Sequence, residues 1–204
     1  MKFWNSFLHL FAVLVYYNEA AVKTQVNKQS RNTRPRSAVL PWEFISSSEI
    51  YLLRSNASMP MIKCIRAKTL SRNKNDRTLS HLVSVKTMSD KWITMNATYK
   101  PVLKGGRRLW GLFTSFDNDT GKTTHYSFSR YTTKNACAVV MKVKGSSNEG
   151  FHFSCELWLN GGFLSDSVSS ALNFCHQMFE SKCCTKAGQT FDARKCRDKD
   201  EELM

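Results

Sequence analysis

Eight short runs of mixed apolar and polar residues succeed one another between Glu49 and Asn160. They read EIYLLRS, MIKCIRAKTL, TLSHLVSVKT, KWITMNATYKPVL, RRLWGLFTSF, TTHYSFSRYTT, ACAVVMKVK and FHFSCELWLN. Turn-rich pieces such as SRNKNDR, KGG, DNDTG and KGSSNEG separate them, and no long helical period interrupts the series. Eight successive strands with short connections predict an all-β, up-and-down antiparallel barrel, because closing the sheet removes its exposed edges. The preceding PWEFISSS reads as a short helical turn that offers Trp42 and Phe44 for packing. After the strands, SDSVSSALNFCHQMFESKCC sets Val168, Leu172, Cys175, Met178 and Phe179 at helical spacing behind Ser and Asp residues suited to an N-cap. This predicts one amphipathic α-helix packed outside the barrel. The folded body is expected over residues 41–198, with a disordered tail over 199–204.

Alternation within the last two strands assigns their faces. Phe151, Phe153, Cys155, Leu157 and Leu159 share one row of the eighth strand, opposite His152, Ser154, Glu156 and Trp158. Cys137, Val139, Met141 and Val143 form the matching apolar row of the seventh, opposite Ala138, Val140 and Lys142. If the C-terminal helix covers the two apolar rows, Glu156 points into the barrel. A barrel of eight strands is wide enough for one small ligand. Trp158, Tyr126, Phe128 and Trp110 are expected to line that cavity.

The chain starts with MKFWNSFLHLFAVLVYYNEAA: one lysine, an apolar run too short to span a bilayer, then small residues. Residues 1–20 therefore read as a secretory signal peptide, and the protein is expected to be secreted and extracellular with no membrane span. Seven cysteines in an exported chain point to disulfides, with one thiol left over. Sequons start at Asn56, Asn96 and Asn118, each a candidate glycosylation site in that compartment.

The 204 residues carry a formal net charge of +14. Residues 21–40 form a basic arm with little to bury, in which Lys23, Lys28, Arg31, Arg34 and Arg36 have no acid beside them. With Lys100, Lys104, Arg107 and Arg108 near one barrel end, the arm is expected to hold acidic polysaccharide by exposed charge. Nucleic acid is not an expected partner, since no stacking platform or zinc finger accompanies the charge. Enzyme motifs are missing: the chain has no Gly-x-Ser-x-Gly, no His-Glu-x-x-His and no phosphate-cradling glycine loop. No metal or other cofactor is expected. A binding protein is the stronger class.

Cys137-Ala138-Val139, Glu156-Leu157-Trp158 and Cys175 stand in the order and spacing of a motif shared by the tick salivary lipocalins, the histamine-binding proteins among them. The EIYLLRS strand, Cys64 and the closing TFDARKC are also similar to that family, so the resemblance covers roughly residues 41 to 196. It implies a lipocalin barrel with a C-terminal helix that captures small host mediators and so blunts host immune and inflammatory responses. It also implies that inward acids hold a cationic amine among aromatic rings. The physics supports such a site, because a desolvated ammonium needs a paired carboxylate and gains from aromatic faces. Glu156 matches one such acid, and the family's second acid falls on Ala138. A biogenic amine of the histamine or serotonin type is the first expectation. The alternatives are a leukotriene- or fatty-acid-like anion held by Arg130, Lys142 or His125, and a protein-binding lipocalin acting on complement, platelets or immune cells.

For the cysteines, Cys137 at a strand start on the helix-facing row and Cys175 in the covering helix are expected to pair. The resemblance implies Cys64 with Cys196. Cys155, on the helix-facing row, is expected to reach Cys183 or Cys184, with the remaining thiol free or bridging chains.

Overall fold

A computed structural model describes residues 41–116, 122–129, 136–146, 150–164, 169–184 and 188–199. All of them lie in the second of the two units, 1–36 and 37–204, into which the chain divides. Residues 1–40, on which the expected signal peptide and basic arm fall, and Asn118, Arg130, Val168 and residues 200–204 lie outside the described residues.

Helix α1 (Pro41–Ile45) is followed by strands β1 (Glu49–Ser55), β2 (Ile62–Asn73), β3 (Thr78–Thr87), β4 (Trp92–Lys104), β5 (Arg107–Phe116), β6 (Thr123–Phe128), β7 (Cys137–Ser146) and β8 (Gly150–Asn160). Each of β2 to β7 pairs antiparallel with the next, β8 returns to β1, and β1 pairs β2 through Glu49↔Lys68 to Tyr51↔Arg66. The sheet is thus a closed eight-stranded barrel, as the run of eight alternating segments predicts. Helix α2 (Ser169–Lys182) lies against β7 and β8, and a two-residue strand β9 (Gln189–Thr190) extends the free end of β1. The chain then closes with a 3-10 segment, Ala193–Lys199, packed on β2. Neither β9 nor that segment announces itself in the sequence, since two strand residues and one tight turn carry no period.

Two apolar cores divide at the sheet. Outside, Cys137, Val139, Cys155, Leu157 and Leu159 pack under Cys175, Met178 and Phe179 of α2. Inside, Phe44 and Ile45 of α1 join Leu79, Tyr99, Phe113, Phe128, Ala138 and Val140. The predicted face assignment of β7 and β8 therefore holds in the closed barrel. Helix α1 enters at the end where β1 starts and plugs it. At the opposite end the lumen-facing Ile93 and Met95 are half-exposed, so this end is the mouth.

Three disulfides fasten the outer layer: Cys64–Cys196, Cys137–Cys175 and Cys155–Cys183. Cys184 is the exposed free thiol. Arg54 reaches outward too, to Glu180 of α2 at 3.2 Å and over the Phe179 ring at 4.7 Å. A bulge between Leu52 and Arg54 makes this possible by shifting the strand's alternation.

Candidate functional site

Residues at mid-depth of the barrel supply its one inward carboxylate among the described residues. Glu156 pairs across β7 with Val140 and across β1 with Ser55, and is only 3 % exposed. Burial of a charge is tolerated only with partners. The indole Nε1 of Trp158 donates to Glu156 Oε2 at 2.9 Å. Lys142 Nζ donates to Oε1 at 3.2 Å, and Ser154 Oγ donates to the same oxygen at 3.4 Å. Lys142 is held by the register that sets it opposite Ser154, and its side chain is 31 % exposed toward the mouth. Lys144 and His152 follow on the same inward rows and are exposed.

A run of rings continues from the carboxylate toward the floor. Tyr126 pairs with Lys142 in register, and its phenol is pushed up to about 12 by burial and then by the Glu156 charge. Tyr99 and Tyr126 share a hydrogen bond and lie edge to face with centroids 5.2 Å apart. Burial, with Tyr126 next, holds the Tyr99 phenol well above its usual value. Both hydroxyls therefore stay neutral, and one of them donates to the other. Beside Tyr99 lies His81, 5.0 Å away between ring centroids and 1 % exposed. Its Nε2 meets the Ile45 carbonyl at 2.9 Å, which requires the proton on that nitrogen. Its Nδ1 is buried with no hydrogen-bond partner.

The structure brings some of the sequence-predicted site residues together and separates others. Glu156, Trp158 and Tyr126 converge. Phe128 faces inward but belongs to the floor, packed at 6.4 Å on Phe44 of the plug and 5.7 Å on Phe113. Trp110 is a correction. It has the opposite alternation to Phe113, is 40 % exposed, and lines a small recess outside the plugged end with Trp42 and Arg77. His125 is a second one: it pairs with Val143 of the outer row and cannot meet a ligand inside. Tyr99 and His81 are the inward residues that sequence reasoning missed. Both stand on alternating apolar rows, Leu79-His81-Val83 and Ala97-Tyr99, which was the available signal.

Ala138 is fully buried opposite Trp158. Asn96 is exposed on β4, and Asn56 is exposed while its Oδ1 accepts from the Cys155 amide at 2.8 Å. Among the described residues no group of His, Cys, Asp and Glu is placed to hold a metal ion, and no helix is long and apolar enough to cross a membrane.

No curated protein matches the chain in sequence. Among solved structures it is similar to lipocalin 12 from rat epididymis, at 14 % identity over 79 % of this chain and 89 % of that one, with a TM-score of 0.51. It is also similar to Japanin from Rhipicephalus appendiculatus, solved bound to cholesterol, at 13 % identity over 74 % and 96 % with a TM-score of 0.45. The likeness to lipocalin 12 is one of fold alone. The family model for tick histamine binding protein matches residues 38–198, which takes in the whole barrel, α2 and the closing disulfide, and the chain belongs to that family.

Proposed function

We propose that the protein is exported and sequesters a small host mediator in its barrel, blunting the host's inflammatory response, with the ligand's polar end at the Lys142–Glu156 pair. One observation favours an anionic end: the single inward carboxylate among the described residues is already paired with Lys142, and Lys144 adds a second cation on the same row. A fatty-acid- or leukotriene-like anion would place its carboxylate between Lys142, Lys144 and the Tyr126 hydroxyl, with its chain against the rings below. Such a head adds a charge-assisted hydrogen bond of about 1.5–3 kcal/mol without displacing anything buried.

A biogenic amine is the second reading, favoured by the buried Glu156 among the Trp158 and Tyr126 rings. An ammonium there gains cation–π attraction. It must also expel Lys142, exchanging one ion pair for another, and Ala138 offers no second acid.

Calorimetry with a long-chain fatty acid, histamine and serotonin on four proteins separates the readings. The anion reading expects Lys142→Met to weaken fatty-acid binding tenfold or more, while Glu156→Gln leaves it within a few fold. The amine reading expects Glu156→Gln to weaken amine binding tenfold to a hundredfold and Ala138→Asp to strengthen it. If wild type takes up none of these, and no small molecule co-purifies with it by native mass spectrometry, sequestration in the barrel is wrong.

A further inference from the structure

The recess at the plugged end shares Phe113 with the inner core but has its own chemistry. Pro41, Trp42, Pro101 and Trp110 give it apolar walls, and Arg77 and Arg108 bring two guanidinium groups to it. It is a notch on an open face, with about 20 Å³ of room. The β2–β3 and β4–β5 turns flank it. The Arg108 guanidinium donates to the Asn75 carbonyl and ties the two turns together. Between them, residues 72–77 and 104–108 carry Arg72, Lys74, Arg77, Lys104, Arg107 and Arg108 against the single acid Asp76, which accepts from Asn73 at 2.8 Å. Arg77 stands at φ 54, a left-handed position where Gly or Asn would be easier.

Charge alone would attract any polyanion. The indoles narrow the choice. The C–H faces of a pyranose ring pack on an indole face, and guanidinium groups meet sulfate or carboxylate through paired N–H donors. A polymer lying across the notch can stack one ring on Trp110 and seat one small group inside. An anionic membrane would favour a convex apolar tip, which a notch is not.

We propose that the plugged end of the barrel is a binding site for a sulfated or uronate-bearing polysaccharide, with sugar stacked on Trp110 and anionic groups held by Arg77 and Arg108. The full chain is titrated on immobilised heparin at fixed salt, with desulfated heparin and phosphatidylserine vesicles as competitors. Trp110→Ala, which changes no charge, is expected to weaken binding fivefold or more, and Arg77→Ser/Arg108→Ser tenfold or more. Lys63→Ser/Lys91→Ser removes the same charge at the mouth end and is expected to stay within twofold. Should Arg108→Ser fail to fold, Lys104→Ser/Arg107→Ser on the exposed turn is expected to weaken binding at least threefold. Wild-type affinity in Trp110→Ala, or equal losses in the site and mouth pairs, would reduce the effect to diffuse charge and overturn the proposal. Displacement by the vesicles as effective as by free heparin would overturn it in favour of a membrane surface.

Discussion

Lys142 Nζ stands 3.2 Å from Glu156 Oε1 on neighbouring strands, and the two side chains differ in burial, at 31 % and 4 % exposed. The pair is thus anchored at its acid end and open at its base end. Removing the base leaves a buried carboxylate with only Trp158 and Ser154 to satisfy it. Lys142→Met is expected to destabilise the fold by about 1–3 kcal/mol, below the range for a fully buried pair because water reaches the lysine. Glu156→Gln on top of it removes the stranded charge and should restore most of that loss. Urea denaturation of the two single variants and the double variant gives the coupling. A double variant as unstable as the sum of the singles would show that the contact carries no coupling.

The disulfides close loops of very different length. Cys64–Cys196 spans 132 residues, Cys137–Cys175 spans 38 and Cys155–Cys183 spans 28. Loop-closure entropy predicts contributions of about 5 kcal/mol for the first and somewhat under 4 kcal/mol for the other two. Paired Cys→Ser variants should lose stability in that order, with Cys64→Ser/Cys196→Ser the weakest fold. Alkylation of the unreduced native protein should label Cys184 alone. Label on Cys183 in its place would reassign the third bridge.

Gly111 lets the plug approach the wall. It has φ 71, and a Cβ there would stand 3.1 Å from the Phe128 carbonyl oxygen and 3.4 Å from Pro41 Cγ. Gly111→Ala therefore meets the backbone penalty of about 1–2 kcal/mol for a left-handed residue together with a crowded contact to backbone. Gly105, at φ 57 with nothing within 4 Å, meets the first cost only. Thermal melts should place Gly111→Ala clearly below Gly105→Ala, and equal melting temperatures would mean that α1 gives way freely.

What the sequence makes legible here is alternation. Leu157 and Leu159 beside Glu156 and Trp158 suffice to put the acid inside, because the apolar row needs the helix. Lys142 falls on the inward row by the same reasoning. Lys142 and Arg130 were both legible as partners for Glu156; that Lys142 meets it follows from the β7–β8 register, which pairs Lys142 with Ser154. Trp110 shows the opposite limit. Both rows of RRLWGLFTSF mix apolar and polar residues, so nothing local says which faces in. The answer comes from Phe113, which packs on Phe128 of the neighbouring strand and so joins the inner core. Helix α1 was readable as a turn with aromatic residues, while its place as a plug follows from long-range closure.

His81 makes acid sensitivity a property of the plug. Its imidazole donates to the Ile45 carbonyl of α1, and burial lowers its pKa from 6.5 to about 4. Between those values the unfolded chain binds a proton that the folded chain refuses, so stability must fall as pH falls. The loss starts near pH 6.5, reaches about 3 kcal/mol by pH 4 at 1.36 kcal/mol per unit, and stops growing below that. His125 and His176 are lowered too, mainly by burial, and push the same way. The informative quantity is therefore the difference between wild type and His81→Gln, whose amide can still donate to Ile45 but does not titrate. Urea midpoints from pH 7.5 to 4 should fall more steeply in wild type, and the two curves should converge or cross on acidification. Parallel curves across that range would show that His81 is not the group that makes the barrel acid-sensitive.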